Sequence, residues 1–511
     1  MSRKEEPPAA PASTPSNDVD RRNPAPSDHL VETEHSVTIG GHAIAYTVTT
    51  GTMILKEEAE KKGQDEGKSD GEQPRAEVFF IAYTRKDGGD LAKRPITFSF
   101  NGGPGSSSVW LHLGVLGPRR VVMDDIGSLT RPPYALTDNE YSLLDETDLV
   151  FIDPVGTGYS RPVVGEKAKD FHTFKKDIES VGDFIRMYAT RSRRWTSPKF
   201  LIGESYGTTR AAGLSGYLQE RHGMYLNGIM LVSSILEFHT TDFVPSNDLP
   251  CMLFLPSYAA TAWFHRRLAP DLQRDLPATL KEVQTFALGP YAAALLQGSA
   301  LPADERARIA EQVARYTGLT AEYVERANLR IEIMRFTKEL LRDQRRSVGR
   351  LDSRFTGIDR DATGEQPGHD PSFTNIIGPY TATFNDYVRG ELGFESDLPY
   401  EILSFKTHGN WRFEEHENQF VDVAETLRKA MTINPFLKVF VASGYFDLAT
   451  PYFATDYTVS RLGLDETLRA NISVAYYEAG HMMYIHLPSL ARLKKDLARF
   501  MKAAVGTAGS G

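Results

Sequence analysis

Cysteine is almost missing from this chain. Cys251 is the only one in 511 residues, so no intrachain disulfide can form. The fold must rest on its core, and the shortage fits a reducing compartment. Long apolar runs are missing too: no stretch of about 18 uninterrupted apolar residues occurs, which excludes a membrane-spanning helix. The N-terminal segment MSRKEEPPAAPASTPSNDVDRRNPAPSD carries six prolines and lacks the apolar core of a secretory signal. The sequence as it stands reads as soluble and cytoplasmic. Positive charge is not in excess either. Asp plus Glu number 67 against 58 Lys plus Arg, a formal charge of −9, which argues against nucleic acid or an anionic membrane as partner. There is no HExxH, and the scattered His residues lack ligand spacing, so no metal or other cofactor is expected.

Apolar residues make up 41% of the chain, enough for a sizeable core. Length alone would suggest three domains, but α/β enzymes often exceed that size as one unit with an insertion. Residues 1–30 form a Pro/Ala-rich tail that cannot bury enough surface to offset its ordering entropy and is expected to be disordered. An antiparallel meander is expected from HSVTIGGHAIAYTVTTGTMIL and EVFFIAYT, both of which alternate β-branched and polar residues. Between them, residues 56–75 hold twelve charged residues in twenty and read as a solvated loop.

From Pro95 the pattern changes. ITFSFNGGPG, DLVFIDPVGTG, KFLIGESYG and NGIMLVSS are apolar runs that end in turns and lead into helical stretches, such as those expected over 168–191 and 206–222. Such alternation predicts a mostly parallel sheet with crossover helices, an α/β fold. After Val244 the pattern is helical and irregular until LKVFVASG restores a buried strand. The expected organisation is a catalytic domain over 31–243 and 431–505, with a helical cap inserted at 244–430.

KFLIGESYGTTRAAGLSGYL is the most informative segment. A strand enters G-E-S-Y-G and a helix follows, the context of a nucleophile elbow, so Ser205 is the candidate nucleophile. Acyl transfer by serine also needs a base to take the hydroxyl proton and a carboxylate to fix the base's tautomer. LKVFVASGYFD places Asp447 just beyond one later strand, and ISVAYYEAGH places His481 beyond the next, in the order this architecture requires. Asp456 is a rival acid, although it falls within an expected helix at 452–462. The consecutive glycines of FSFNGGPGSSS expose backbone N–H groups suited to an oxyanion hole, and no Lys follows them as a phosphate loop would require.

NGGPGSSS, LGP at 116–118, NEYSLLDETDLVFIDPVGTGYS, GESYG, SGYFD and the terminal GH at 480–481 together resemble the serine carboxypeptidases. The resemblance implies an α/β-hydrolase fold and an exopeptidase acting on peptides with a free C-terminus through an acyl-enzyme. It implies Ser205, Asp447 and His481 as the triad, the Gly103 and Tyr206 N–H groups as oxyanion donors, and Asn101, the Gly102 N–H and Glu204 as ligands of the substrate's terminal carboxylate. A carboxyl beside an anion must be protonated to donate a hydrogen bond. Three departures stand out. Ser106 occupies a position that is usually Cys, Val115 one that is often Glu, and Met482, Met483 and Tyr484 replace an apolar residue and proline. Val115 cannot share a proton, so a smaller upward shift is expected for Glu204. An esterase or acyltransferase on the same scaffold, or a catalytically silent binding protein, are the alternatives.

Overall fold

The computed structural model describes residues 26–60 and 69–506. Its backbone is a ten-stranded sheet. Nine strands run in line: β1 (His29–Ile39), β2 (His42–Glu60), β3 (Ser69–Arg85), β4 (Ile96–Phe100), β5 (Asp148–Ile152), β6 (Lys199–Ser205), β7 (Gly228–Ser234), β8 (Lys438–Gly444) and β9 (Ile472–Tyr477). Their spatial order is β1-β2-β3-β5-β4-β6-β7-β8-β9, and a two-residue strand at Arg161–Pro162 pairs with β3. Neighbours from β1 to β5 are antiparallel, and every pair from β5 to β9 is parallel. This is the α/β-hydrolase arrangement, with an N-terminal meander at one edge.

Because crossover helices cover both faces, the central strands are apolar on both sides. In β6, Phe200 and Ile202 join the cluster that contains Leu490, Leu493 and Leu497 of helix α6 (Leu487–Val505). Leu201 faces the opposite cluster with Ile178, Val181 and Phe184 of helix α1 (Phe174–Arg191). Helix α1 starts later than its periodicity suggests. Residues Ala168–Phe171 form a separate single turn, and Thr173 caps the helix by accepting from the Lys176 N–H. Helix α2 (Tyr206–His222) begins directly after β6.

Two expectations need revision. The charged loop at 56–75 is strand at both ends, with Lys56 opposite Pro74, Glu57 opposite Gln73 and Glu58 opposite Glu72; residues 61–68 lie outside the described residues. A two-stranded ribbon that runs past the core exposes its side chains to water, so charge does not oppose strand formation there. Glu57 further accepts from Lys176 Nζ at 2.7 Å, which ties the ribbon to α1. The expected disordered tail lies outside the described residues up to position 25, and by His29 the chain has entered β1.

Between β7 and β8 the chain is mainly helical, with α3 (Leu249–Phe264) and α4 (Pro371–Gly390) its longest helices and one short hairpin, Arg346–Val348 with Thr356–Ile358. Leu253, Phe254, Val283 and Phe336 build a third apolar cluster there. Phe446, Leu448 and Tyr452, which follow β8, complete it, so this segment is seated on the sheet through apolar contact.

Candidate active site

Ser205 ends β6 with φ 59° and ψ −131°, a backbone conformation that costs a non-glycine residue about 1–3 kcal/mol and turns its side chain out of the strand-to-helix corner. The corner closes only because residue 203 has no side chain: a Cβ on Gly203 would stand 2.1 Å from the Gly207 carbonyl oxygen. Tyr206 is the first residue of α2, so its N–H has no intrahelical acceptor. Across from it, Gly103 follows β4 with φ +103°, and a Cβ at Gly102 would lie 2.4 Å from the Tyr206 nitrogen. The glycines of NGGPG therefore let the turn after β4 pack directly against the first residues of α2, beside Ser205.

His481 follows β9 and is clamped on three sides. Its N–H donates to the Leu351 carbonyl at 2.7 Å, its own carbonyl accepts from Ser233 Oγ at 2.7 Å, and its Nδ1 meets Asp447 Oδ2 at 2.8 Å. Asp447 is fully buried. Its Oδ1 accepts from the Ala449 and Thr450 N–H groups, and its Oδ2 also accepts from Thr450 Oγ1 at 2.8 Å. Burial pushes the His481 imidazole pKa down, but the adjoining Asp447 carboxylate outweighs it, and the net shift is upward. Asp456 sits elsewhere, in helix α5 (Tyr452–Arg461), where it accepts from the Tyr476 hydroxyl at 2.7 Å.

Ser205 and His481 line one cavity of 380 Å³, together with Asn101, Gly102, Gly103 and Glu204. Among the described residues the Ser205 hydroxyl has no hydrogen-bond partner, which leaves it free to turn toward His481 or a bound carbonyl. Asn101 is held at both ends of its polar groups: its Oδ1 accepts from the Leu111 N–H and its carbonyl from Arg210 Nη1. Glu204 is buried and accepts from the Tyr484 hydroxyl at 2.5 Å. Burial lifts its pKa to about 7; His481 and the Tyr484 hydrogen bond act in the opposite direction. With valine at 115, burial rather than an acidic neighbour drives that shift. Among the described residues no group of three or more His, Cys, Asp or Glu side chains is placed to hold a metal ion.

The supporting contacts of several residues are not visible from sequence. Tyr484 is one; room for its ring comes from Gly114, where a Cβ would lie 2.3 Å from Tyr484 Cε2. Thr450 is another, and its place three residues after Asp447 is the only signal. Ser106 keeps a structural role without a disulfide: its Oγ accepts from Trp110 Nε1, and its loop is fastened by Ser107 N–H to the Ile402 carbonyl and Ser404 N–H to the Gly105 carbonyl.

Beneath the site, Arg210 is fully buried and donates to Asp177 Oδ2 at 2.8 Å and to the Asn101 carbonyl, while the Tyr206 hydroxyl donates to the same Asp177 oxygen. Burial lifts the Asp177 carboxyl pKa above its ordinary range despite Arg210, a sign that desolvating this pair is costly. Breaking it should cost more still. Arg210→Met is expected to destabilise the fold by about 3–5 kcal/mol, because it strands a buried carboxylate, and the double variant Arg210→Met/Asp177→Leu should recover part of the loss. Denaturant midpoints measure both; a single variant within about 1 kcal/mol of wild type would contradict the assignment.

Comparisons with known proteins bear on the family and the fold. A family model described as serine carboxypeptidase matches residues 68–484. The pheromone-processing carboxypeptidase KEX1 of Saccharomyces cerevisiae is 35% identical over 137 residues, which are 25% of this chain and 18% of that protein. The match thus spans less than a fifth of that relative's length. The crystal structure of KEX1(delta)p, a prohormone-processing carboxypeptidase from Saccharomyces cerevisiae, superimposes with a TM-score of 0.54 at 16% identity, covering 89% of this chain and 91% of that one, a likeness of fold. With its family model matched over most of its length and an elbow, acid and histidine in the order that family uses, the chain belongs to the serine carboxypeptidase family.

Proposed function

We propose that this protein is a serine carboxypeptidase that releases C-terminal residues from peptides through an acyl-enzyme. Ser205 Oγ attacks the scissile carbonyl as His481 Nε2 takes its proton, and Asp447 holds the Nδ1–H that fixes the working tautomer. The Gly103 and Tyr206 N–H groups receive the developing oxyanion. His481 then protonates the departing amine, and water repeats the sequence on the acyl-enzyme. Asn101, the Gly102 N–H and Glu204 bind the terminal carboxylate. Residues 244–430 act as the cap that shapes the pocket, carried by a catalytic domain over 31–243 and 431–505. Cys251 is buried and free, and no described helix is long and apolar enough to cross a membrane.

One observation carries the exopeptidase reading over a general esterase. A buried carboxyl with its pKa raised to about 7 by burial shares the cavity of Ser205 and His481. In its protonated form it donates to an anionic terminus, and in its ionised form it repels one. Protonated Glu204 predominates below pH 7 and is lost as pH rises through 7. For a free peptide, kcat/KM should therefore fall as Glu204 ionises through pH 7, and because the His481 pKa is itself raised, the limb on which His481 becomes neutral overlaps that fall and leaves a narrow optimum. Glu204→Gln donates at every pH and should abolish the falling limb. Tyr484→Phe removes a hydrogen bond that favours the ionised carboxylate, so the limb should move to higher pH. Rates on one peptide and its C-terminal amide from pH 4 to 8 test this; identical profiles for the two substrates would favour the esterase or acyltransferase reading.

A further inference from the structure

The Ser205 cavity holds one guanidinium that has no partner among the described residues. Among its lining residues Arg350 is the only Lys or Arg, and it stands with Leu351, Phe373 and Ile376 on the segment between β7 and β8. Its backbone is firmly placed. The Arg350 N–H donates to Asp370 Oδ1 at 3.1 Å, and the adjoining Leu351 accepts from the His481 N–H at 2.7 Å. Its side chain is another matter: exposed, and among the described residues in no ion pair or hydrogen bond. Arg94, Arg194, Arg210 and Arg354 are by contrast buried against carboxylates.

Asp370 keeps its negative charge beside it, yet no charged group around the cavity engages the Arg350 fork, which stays open to a ligand. Asp370 faces the same cavity, but its Oδ1 is taken by the N–H groups of Arg350, Ser372 and Phe373 and by Ser372 Oγ, as the cap of α4. Glu204 is neutral when protonated, His408 Nδ1 lies against the Pro104 carbonyl at 3.1 Å, and Asp447 is occupied by His481 and Thr450. Arg350 is close enough for its charge to act on His481, so it can also act on a substrate bound beside that histidine. A guanidinium on a mostly apolar wall presents a forked donor that suits a carboxylate.

We propose that Arg350 is a specificity-determining residue that favours peptides with a carboxylate side chain next to the scissile bond. The inference rests on the carboxypeptidase reading and adds a substrate class to it. A side chain is preferred over the peptide's own terminus as the partner because Asn101, Gly102 and Glu204 already converge on that terminus in the reading above.

The test uses two peptide sets that differ only in carrying Gln, Glu or Lys, in one set just before the scissile bond and in the other as the released residue. Wild type, Arg350→Gln and Arg350→Glu are compared by kcat/KM for release of the C-terminal residue. In at least one set wild type should prefer Glu over Lys by about tenfold or more, Arg350→Gln should erase the preference, and Arg350→Glu should reverse it. Added salt should shrink the preference in wild type, which a merely structural role for Arg350 would not produce. Equal ratios in wild type and Arg350→Gln would overturn the proposal. An equal loss on all three peptides would overturn it too, by moving the partner to the terminal carboxylate. Turnover of the Gln peptide keeps the carboxypeptidase reading standing in either case; no release from any peptide by wild type removes both.

Discussion

Replacing Ser205 with alanine is expected to lower kcat by on the order of 10⁶ while leaving peptide binding in place. The hydroxyl oxygen is the atom that forms the acyl bond, and nothing nearby can replace it: Ser106 Oγ, in the same cavity, is committed to Trp110 and to backbone carbonyls. The fold should survive. Alanine occupies the φ 59° corner at a cost similar to serine's, and the Ser205 side chain supports no other residue. A thermal midpoint close to that of wild type, binding of a slow peptide by calorimetry and loss of labelling by a serine-directed fluorophosphonate complete the expected result. Retention of activity within tenfold of wild type would remove Ser205 from the mechanism.

The parts of this architecture that sequence discloses are those carried by short contiguous segments. G-E-S-Y-G between an apolar run and a helix is one such segment, and the structure places it at the junction of β6 and α2. The parallel sheet is another, because strands covered on both faces read as continuous apolar runs. What remained hidden depends on contacts between distant positions. Tyr484 reaches Glu204 across 280 residues, Ser107 is tied to Ile402 across 295, and Arg210 reaches back 109 residues to Asn101. None of these has a local signature. The charged ribbon of β2 and β3 was illegible for a different reason: a strand pair beyond the core has no buried face to impose a period of two. Helix α1 began late because Thr173, not hydrophobic periodicity, decides where its first turn starts.

Asp447→Asn should lower kcat by about 10⁴ while the fold stays intact. The wild-type carboxylate accepts four hydrogen bonds: the Ala449 and Thr450 N–H groups on Oδ1, and Thr450 Oγ1 and His481 Nδ1 on Oδ2. An asparagine can keep the first two by presenting its single carbonyl oxygen to those backbone donors. Its amide nitrogen must then face His481 Nδ1. Two donors cannot share that contact, so Nδ1 becomes the acceptor and the imidazole proton moves to Nε2. The nitrogen that should receive the Ser205 proton is then already protonated. The loss should appear in kcat more than in KM, because none of the groups proposed to hold the substrate's terminus changes. The upward shift that Asp447 imposes on His481 should also vanish, moving the acidic limb of the pH profile to lower pH. Asp456→Asn is the control. That side chain, in α5, bonds Tyr476 of β9, so its removal should leave turnover within about threefold of wild type. A large fall in the Asp456 variant with an active Asp447 variant would transfer the role of the acid from one residue to the other.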